Sequence, residues 1–294
     1  MWPQVFNIVF PVFSIVATGF GYALLRRPDM DAAQRITMSI LIPALIFHVI
    51  SQQSFDLANY QGLGVAALAI VLGSGLLSWP LARYFGYDWR SFLPPIMFTN
   101  TGNMGLPVAL LAFGQQVLGA AVVVFILTNL LNFTLGLWMY SGKYGFADLF
   151  KSPVVVAMVA GLVVNLGGFQ VPLALDTGIN MLGQASVPML LFGLGVRLAK
   201  ANLQQLRVGL LGGLLCPLSG LLVFLLIRPW LTLPAPQIQE LALFSVLPPA
   251  VLNFIMAEHY RRDPEHVAAV VMFGNVSAVI ILSLMLAWIL PIAS

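Results

Sequence analysis

Asn100, Thr101 and Asn103 place two amides and a hydroxyl within four positions of an otherwise apolar segment, Phe92 to Phe113. Gly102, Gly105 and Pro107 interrupt the same stretch, Asn100-Thr101-Gly102-Asn103-Met104-Gly105-Leu106-Pro107. Glycine weakens a helix, and proline removes a donor and clashes with the preceding turn. Backbone groups freed by such a break cannot face lipid, so they face protein or a water-filled cavity. A half-helix that restarts near Pro107 presents N–H groups and a positive dipole end. With the Asn and Thr side chains, that end suits an anion such as a carboxylate. A kinked packing helix, its glycines allowing close neighbours, is the alternative reading of the same residues.

A second stretch has matching chemistry: Ser245-Val246-Leu247-Pro248-Pro249-Ala250, followed by Asn253. Adjacent prolines oppose a continuous helix. Ser245, Pro248, Pro249 and Asn253 therefore join Asn100, Thr101, Asn103, Gly105 and Pro107 as candidate substrate-binding residues. Candidates for a pathway or a coupling step are His48, the embedded amides Asn129, Asn132 and Asn275, and the Glu258-His259-Tyr260 run. His48 also reads as a satisfied buried histidine, and Glu258-His259-Tyr260 as an interfacial cap.

The elements that must position these residues are membrane spans. The chain has 294 residues, 60% hydrophobic and 8% charged, with a mean hydropathy of +0.96. A soluble domain carries about 25% charged residues. So little charge cannot wet a globular surface, and a polytopic all-α membrane protein follows. The net charge of +3 reflects basic residues in short loops, which anchor the chain and do not imply nucleic acid. The single cysteine, Cys216, reads as a small core residue, and no metal-spaced His/Cys cluster or phosphate-cradling loop appears. No cofactor is expected. The opening Met1-Trp2-Pro3-Gln4 lacks a basic region, so the first apolar run reads as a retained span.

Ten apolar segments qualify as spans of roughly 20 residues. They run over 5–25, 36–51, 60–82, 92–113, 117–140, 153–166, 177–199, 208–227, 238–260 and 266–290. Arg26, Arg27, Arg35, Arg83, Arg90, Lys143, Lys151, Arg197, Lys200, Arg207, Arg261 and Arg262 fall on alternate loops, and only Arg228 falls opposite. That asymmetry puts those loops in the cytoplasm and both termini outside. Of the acids, Asp29, Asp31, Asp88, Asp148, Asp263 and Glu265 fall in cytoplasmic loops, and Asp56, Asp176 and Glu240 lie on the outside. Glu258 lies near a span end, and no acid is expected near a span centre. The two halves resemble each other. Ile42-Pro43-Ala44-Leu45-Ile46-Phe47 matches Val187-Pro188-Met189-Leu190-Leu191-Phe192, and Ala120–Phe125 matches Ala268–Phe273, at separations of 145 and 148 residues. Five spans per half make the repeat inverted, with broken helices four and nine crossing. The predicted division is 1–140, a short cytoplasmic linker 141–152, and 153–294.

Asn100-Thr101-x-x-Met104-Gly105-Leu106-Pro107 resembles the fourth-span signature of the auxin efflux carrier family. Leu247-Pro248-Pro249-Ala250 with Ala257-Glu258-His259-Tyr260 resembles the ninth-span stretch of its bacterial members. The resemblance covers essentially the whole chain and implies a fold shared with bile-acid/sodium symporters. It further implies a dimerising scaffold of spans one, two, six and seven and a moving transport domain of spans three to five and eight to ten. The substrate, a small organic anion, would ride an elevator motion at the crossover, with Asn100 near its carboxylate. A bacterial inner (plasma) membrane and a homodimer are the corresponding expectations. Proton, sodium or no coupling stays open. The rival readings are a sodium-coupled symporter and a receptor or channel on the same fold. No Ser/His/Asp or paired-acid arrangement at membrane depth supports an enzyme.

Overall fold

Apolar runs in lipid satisfy their backbone groups internally only as helices or closed barrels, and the regular elements among the described residues are all helical. The computed structural model describes residues 2–26, 28–52, 57–142, 153–199 and 205–290. Most of the linker 141–152 lies outside these, as do Arg27, Asp56, Lys143, Asp148, Lys151 and Lys200 from the loop assignments.

Among the described residues, seven helices are long and apolar enough to cross a membrane. In chain order the elements are α1 (Trp2–Arg26), α2 (Ala32–Ser51) and α3 (Gln61–Tyr84). Two short turns, Trp89–Phe92 and Pro94–Met97, precede α4 (Thr101–Phe113). Then come α5 (Leu118–Ser141), the short α6 (Pro153–Leu166), α7 (Leu173–Leu198) and α8 (Leu206–Ile227). Two half-length helices, α9 (Ala235–Ser245) and α10 (Leu252–Tyr260), and the long α11 (Pro264–Ile289) complete the chain.

The two interruptions fall inside the segments expected to be broken, but the first lies earlier than the glycines and Pro107 imply. The chain is extended at Phe98 and leaves helical geometry at Asn100 (φ −78°, ψ 59°). Helix resumes at Thr101, not at Pro107. Asn100 is a strong N-cap, its Oδ1 accepting from the Asn103 N–H at 3.2 Å. The first turn, Thr101–Gly105, is a widened π-turn in which Gly105 N–H reaches Asn100 O at 3.0 Å. That wider turn absorbs the glycines and the donor missing at Pro107, which lies in the following α-helical turn.

Contacts sort the helices. α1 packs chiefly on α7, and α2 on α6 and α7. α3 packs on α5 and α8, and α8 packs extensively on α11. Large apolar side chains such as Leu76 and Val65 stand exposed on the outer faces, as a lipid-facing surface requires. At the α8/α11 seam the backbones nearly touch: a Cβ on Gly213 would lie 2.7 Å from the Gly274 nitrogen. A Cβ on Gly274 would in turn strike the Pro249 ring. Gly213→Leu is therefore expected to push α11 away from α8 and lower stability by about 1–3 kcal/mol, the usual cost of overpacking. Thermal unfolding in detergent reads this directly.

Candidate functional site

The two breaks meet. Thr99 and Pro249 form an isolated antiparallel bridge. Asn100 N–H donates to Pro248 O at 2.7 Å, and Ala250 N–H donates to Phe98 O at 3.0 Å. Each interrupted segment thus supplies the partners that the other lacks, which is how irregular backbone survives at membrane depth. Gly105 fits the same junction, since a Cβ there would press on Leu247 at 2.9 Å.

Side-chain amides brace the junction. Asn253 Nδ2 donates to Phe98 O at 2.9 Å and to Ala250 O at 3.0 Å. Asn275, from α11, accepts from Asn100 Nδ2 at 3.0 Å and donates to Pro249 O at 3.0 Å. One buried side chain therefore ties both breaks together. Cys216 contributes a weak donor, Sγ to Leu247 O at 3.5 Å.

Beside the junction lies a cavity of about 330 Å³, lined by Asn100, Thr101, Gly102, Asn103, Asn129 and Phe125 with Ala250, Val251 and Leu252. Asn129 Nδ2 donates to Phe125 O at 2.8 Å and approaches Thr101 Oγ1 at 3.4 Å. The opposite wall comes from other helices: Gln34, Met38, Ser39 and Ile42 of α2, Pro153 and Val154 of α6, and Arg197 of α7. Arg197 and Gln34 were not singled out from the sequence. Arg197 was placed in a loop; it belongs to the last turn of α7. The signal that could have found it is a basic residue in the last turn of an otherwise apolar helix.

The structure gathers the predicted residues unevenly. Asn100, Thr101, Asn103 and Asn129 line the cavity. Gly105, Pro107, Pro248, Pro249, Asn253 and Asn275 build the frame around it. Ser245 lines a separate space of about 20 Å³, room for one water, shared with Ser74, Thr99, Thr101 and Thr128. Asn132 is buried in a widened turn of α5, against Gly136. Glu258 and His259 are exposed at the end of α10, with His259 edge-on to Tyr260. None of these three lines the cavity.

His48 stands at the other end of α2. Its Nδ1 lies 2.8 Å from Asp176 Oδ1 of α7, and both are half-buried. They line a second cavity of about 450 Å³, which also takes Gln52, Gln115, Asn180 and Gln184. The two cavities lie toward opposite ends of the bundle, both between α2/α7 on one side and α4/α5 on the other.

One acid is far more enclosed than its place near a span end suggests. Glu240, at the start of the span read over 238–260, sits within α9 and is 0% exposed. The run Ala235–Ser245 carries Pro236 in its first turn, so the helix starts early enough to enclose Glu240.

An all-helical chain with membrane-length helices, two mutually bonded breaks and an amide-lined cavity defines an integral membrane transporter. Comparison with known proteins agrees. A family model described as membrane transport protein matches residues 141–286. The chain is 22% identical to an uncharacterized transporter of Methanocaldococcus jannaschii, the alignment covering 97% of this chain and 98% of that one. It is 22% identical to a Rhizobium meliloti protein bearing the name "Putative malonate transporter", over 94% of this chain and 93% of the other. The uncharacterized transporter YfdV of Escherichia coli is 23% identical over 84% and 86%. These similarities are to transporters, not enzymes, and they support a membrane transporter of the auxin efflux carrier type.

Proposed function

We propose that the protein is a secondary carrier of a small organic anion, bound at the junction of the two breaks. The observation that carries this reading is the composition of the 330 Å³ cavity. Asn100, Thr101 and Asn103 at the N-terminus of α4 line it on one side, and Arg197 lines it on the other. Oriented N–H groups, the positive end of a 13-residue helix and a guanidinium all favour a carboxylate. The volume is at the lower end of small-ligand pockets. The similarity to the protein named for malonate supports a short carboxylate as substrate.

The mechanism we propose is alternating access by an elevator motion. Its moving body comprises α3, α5, α8, α11 and the crossed breaks; its static scaffold comprises α1, α2, α6 and α7. The packing preferences and the pair of cavities at opposite ends of one interface support that division. Ten spans in two inverted repeats, outside termini in a bacterial inner membrane and a scaffold-mediated homodimer belong to the same proposal. In this scheme Arg197 stays on the scaffold and meets a second carboxylate of the substrate when the site faces the cytoplasm.

Arg197→Ala should weaken dicarboxylate binding roughly tenfold or more, the loss of a charge-assisted hydrogen bond worth about 1.5–3 kcal/mol. Monocarboxylate binding should change less. Titration calorimetry of malonate and acetate on the purified protein makes the comparison. Equal weakening of both acids would remove Arg197 from substrate contact.

A further inference from the structure

Glu240 has no role in the cavity, yet it is the most deeply enclosed acid among the described residues. Neither Oε1 nor Oε2 has a hydrogen-bond partner. Gln237 lies one turn earlier on the same helix, and its Oε1 is also buried without a partner. The amide orientation is fixed from the other side, where Gln237 Nε2 donates to Asn59 O at 3.0 Å. Three acceptor oxygens are therefore buried on one turn of α9 with no donor between them.

Among the described residues, the surroundings provide no counter-charge. α9 packs against α3, α8, α11, α4 and α5. The ionisable groups on those helices are Arg83 and Tyr84 of α3, Arg207 and Cys216 of α8, Glu265 and His266 of α11, and Tyr140 of α5. Gln237 bonds the entry to α3, and Gln239 Nε2 bonds Ile289 O at the end of α11. That fixes the level of Glu240 at the ends of α3 and α11 away from Arg83, Tyr84, Glu265 and His266. Arg207 opens α8 at its opposite end, Cys216 bonds Leu247 O, and Tyr140 sits in the last turn of α5, away from the end near α9. Arg228, just beyond α8, is exposed, and Tyr60 lines the second cavity, beside His48.

An ionised, unpaired carboxylate in such a place is far costlier than a neutral acid. A metal cation would want a fuller oxygen shell than these three atoms form, whereas a proton needs one acceptor. We propose that Glu240 is a proton-binding site, neutral in this conformation, whose proton moves with the transported anion. The coupling half of this inference rests on the carrier reading above; the protonation half does not. The geometric link is α9 itself. Only 11 residues long, it ends at Ser245 and leads directly into Leu247-Pro248-Pro249, so any displacement of the crossover shifts the environment of Glu240. When that motion admits water, the proton can leave; when it closes, a proton must return.

Two measurements on the full-length protein test this. Infrared spectroscopy of the purified protein near neutral pH should show the carbonyl stretch of a protonated carboxylic acid, absent from Glu240→Gln. In proteoliposomes supplied with malonate, one unit of inward acid gradient should raise wild-type accumulation roughly tenfold for one coupled proton. In Glu240→Gln that ratio should fall to about one. Absence of the infrared band from the wild type, or its persistence in the variant, overturns the proposal. So does an undiminished gradient response in the variant, or accumulation driven by sodium alone. If the wild type carries no malonate or related acid, the carrier reading fails, and the infrared band still decides the state of Glu240. If only the variant is inactive in both conditions, the infrared band again decides.

Discussion

Asn100→Ala is expected to lower transport by about 100-fold or more while the protein still folds. The side chain holds three things at once. Its Oδ1 caps α4, its Nδ2 reaches Asn275, and it lines the cavity. Loss of the cap costs about 1 kcal/mol. The orphaned Asn275 Oδ1 costs about 1–3 kcal/mol more, softened if water enters from the adjacent cavity. Those losses are tolerable in a chain of this length. The effect on transport is larger, because a misplacement of about 1 Å at a binding centre can cost 100-fold. Uptake of labelled malonate into proteoliposomes, with thermal unfolding measured alongside, separates the two. Wild-type transport by this variant would remove Asn100 from the site.

Asn275→Leu is expected to have the largest effect on stability. Asn275 satisfies Asn100 Nδ2 and Pro249 O, one from each break, and is itself only 2% exposed. Leucine has similar size but no polar atom. It would leave both partners buried and unpaired, at about 1–3 kcal/mol each. The two breaks would then be held only by the short backbone bridge and Asn253. A marked drop in unfolding temperature is expected, with transport reduced in the protein that survives. Equal unfolding temperatures for wild type and Asn275→Leu would show that the junction does not depend on this bridge.

The helical plan was legible because lipid leaves a chain few options. Apolar runs, glycines and prolines located the long helices to within a few residues, and α6 runs over 153–166 as read. Both interruptions were marked by proline amid polar residues. What the sequence hid was the position of the first break. Propensity pointed to Gly102–Gly105, but the N-cap at Asn100 and a π-turn moved the helix start to Thr101. A widened turn leaves no compositional trace, since the same residues serve an α-turn elsewhere.

The site was legible in part for a similar reason. Asn100, Thr101, Asn103 and Asn129 reveal themselves as polar groups in apolar segments. Arg197 and Gln34 do not, because near a helix end they look like ordinary interfacial residues. Only the packing of α2 and α7 across from α4 turns them inward. Asn275 looked like one embedded amide among several, and its bridging role required both breaks to meet beside it. The enclosure of Glu240 left no trace in the sequence, because α9 starts at Ala235, with Pro234 as N-cap and Pro236 in the first turn, a few residues ahead of the apolar run read from Ile238.

In the proposed carrier, the cavity beside Asn100 binds a small organic anion and is exposed alternately to the two sides. Cys216 is the sole cysteine, so Cys216→Ser gives a clean background for a single probe, Asn103→Cys, on the cavity wall. In sealed vesicles of known orientation, a membrane-impermeant thiol reagent should label that cysteine from the cytoplasmic face and, more slowly, from the outer face. Saturating malonate or another short carboxylate should protect it from both. Labelling from one face only, or labelling that no acid in a panel of short mono- and dicarboxylates slows, would contradict the account.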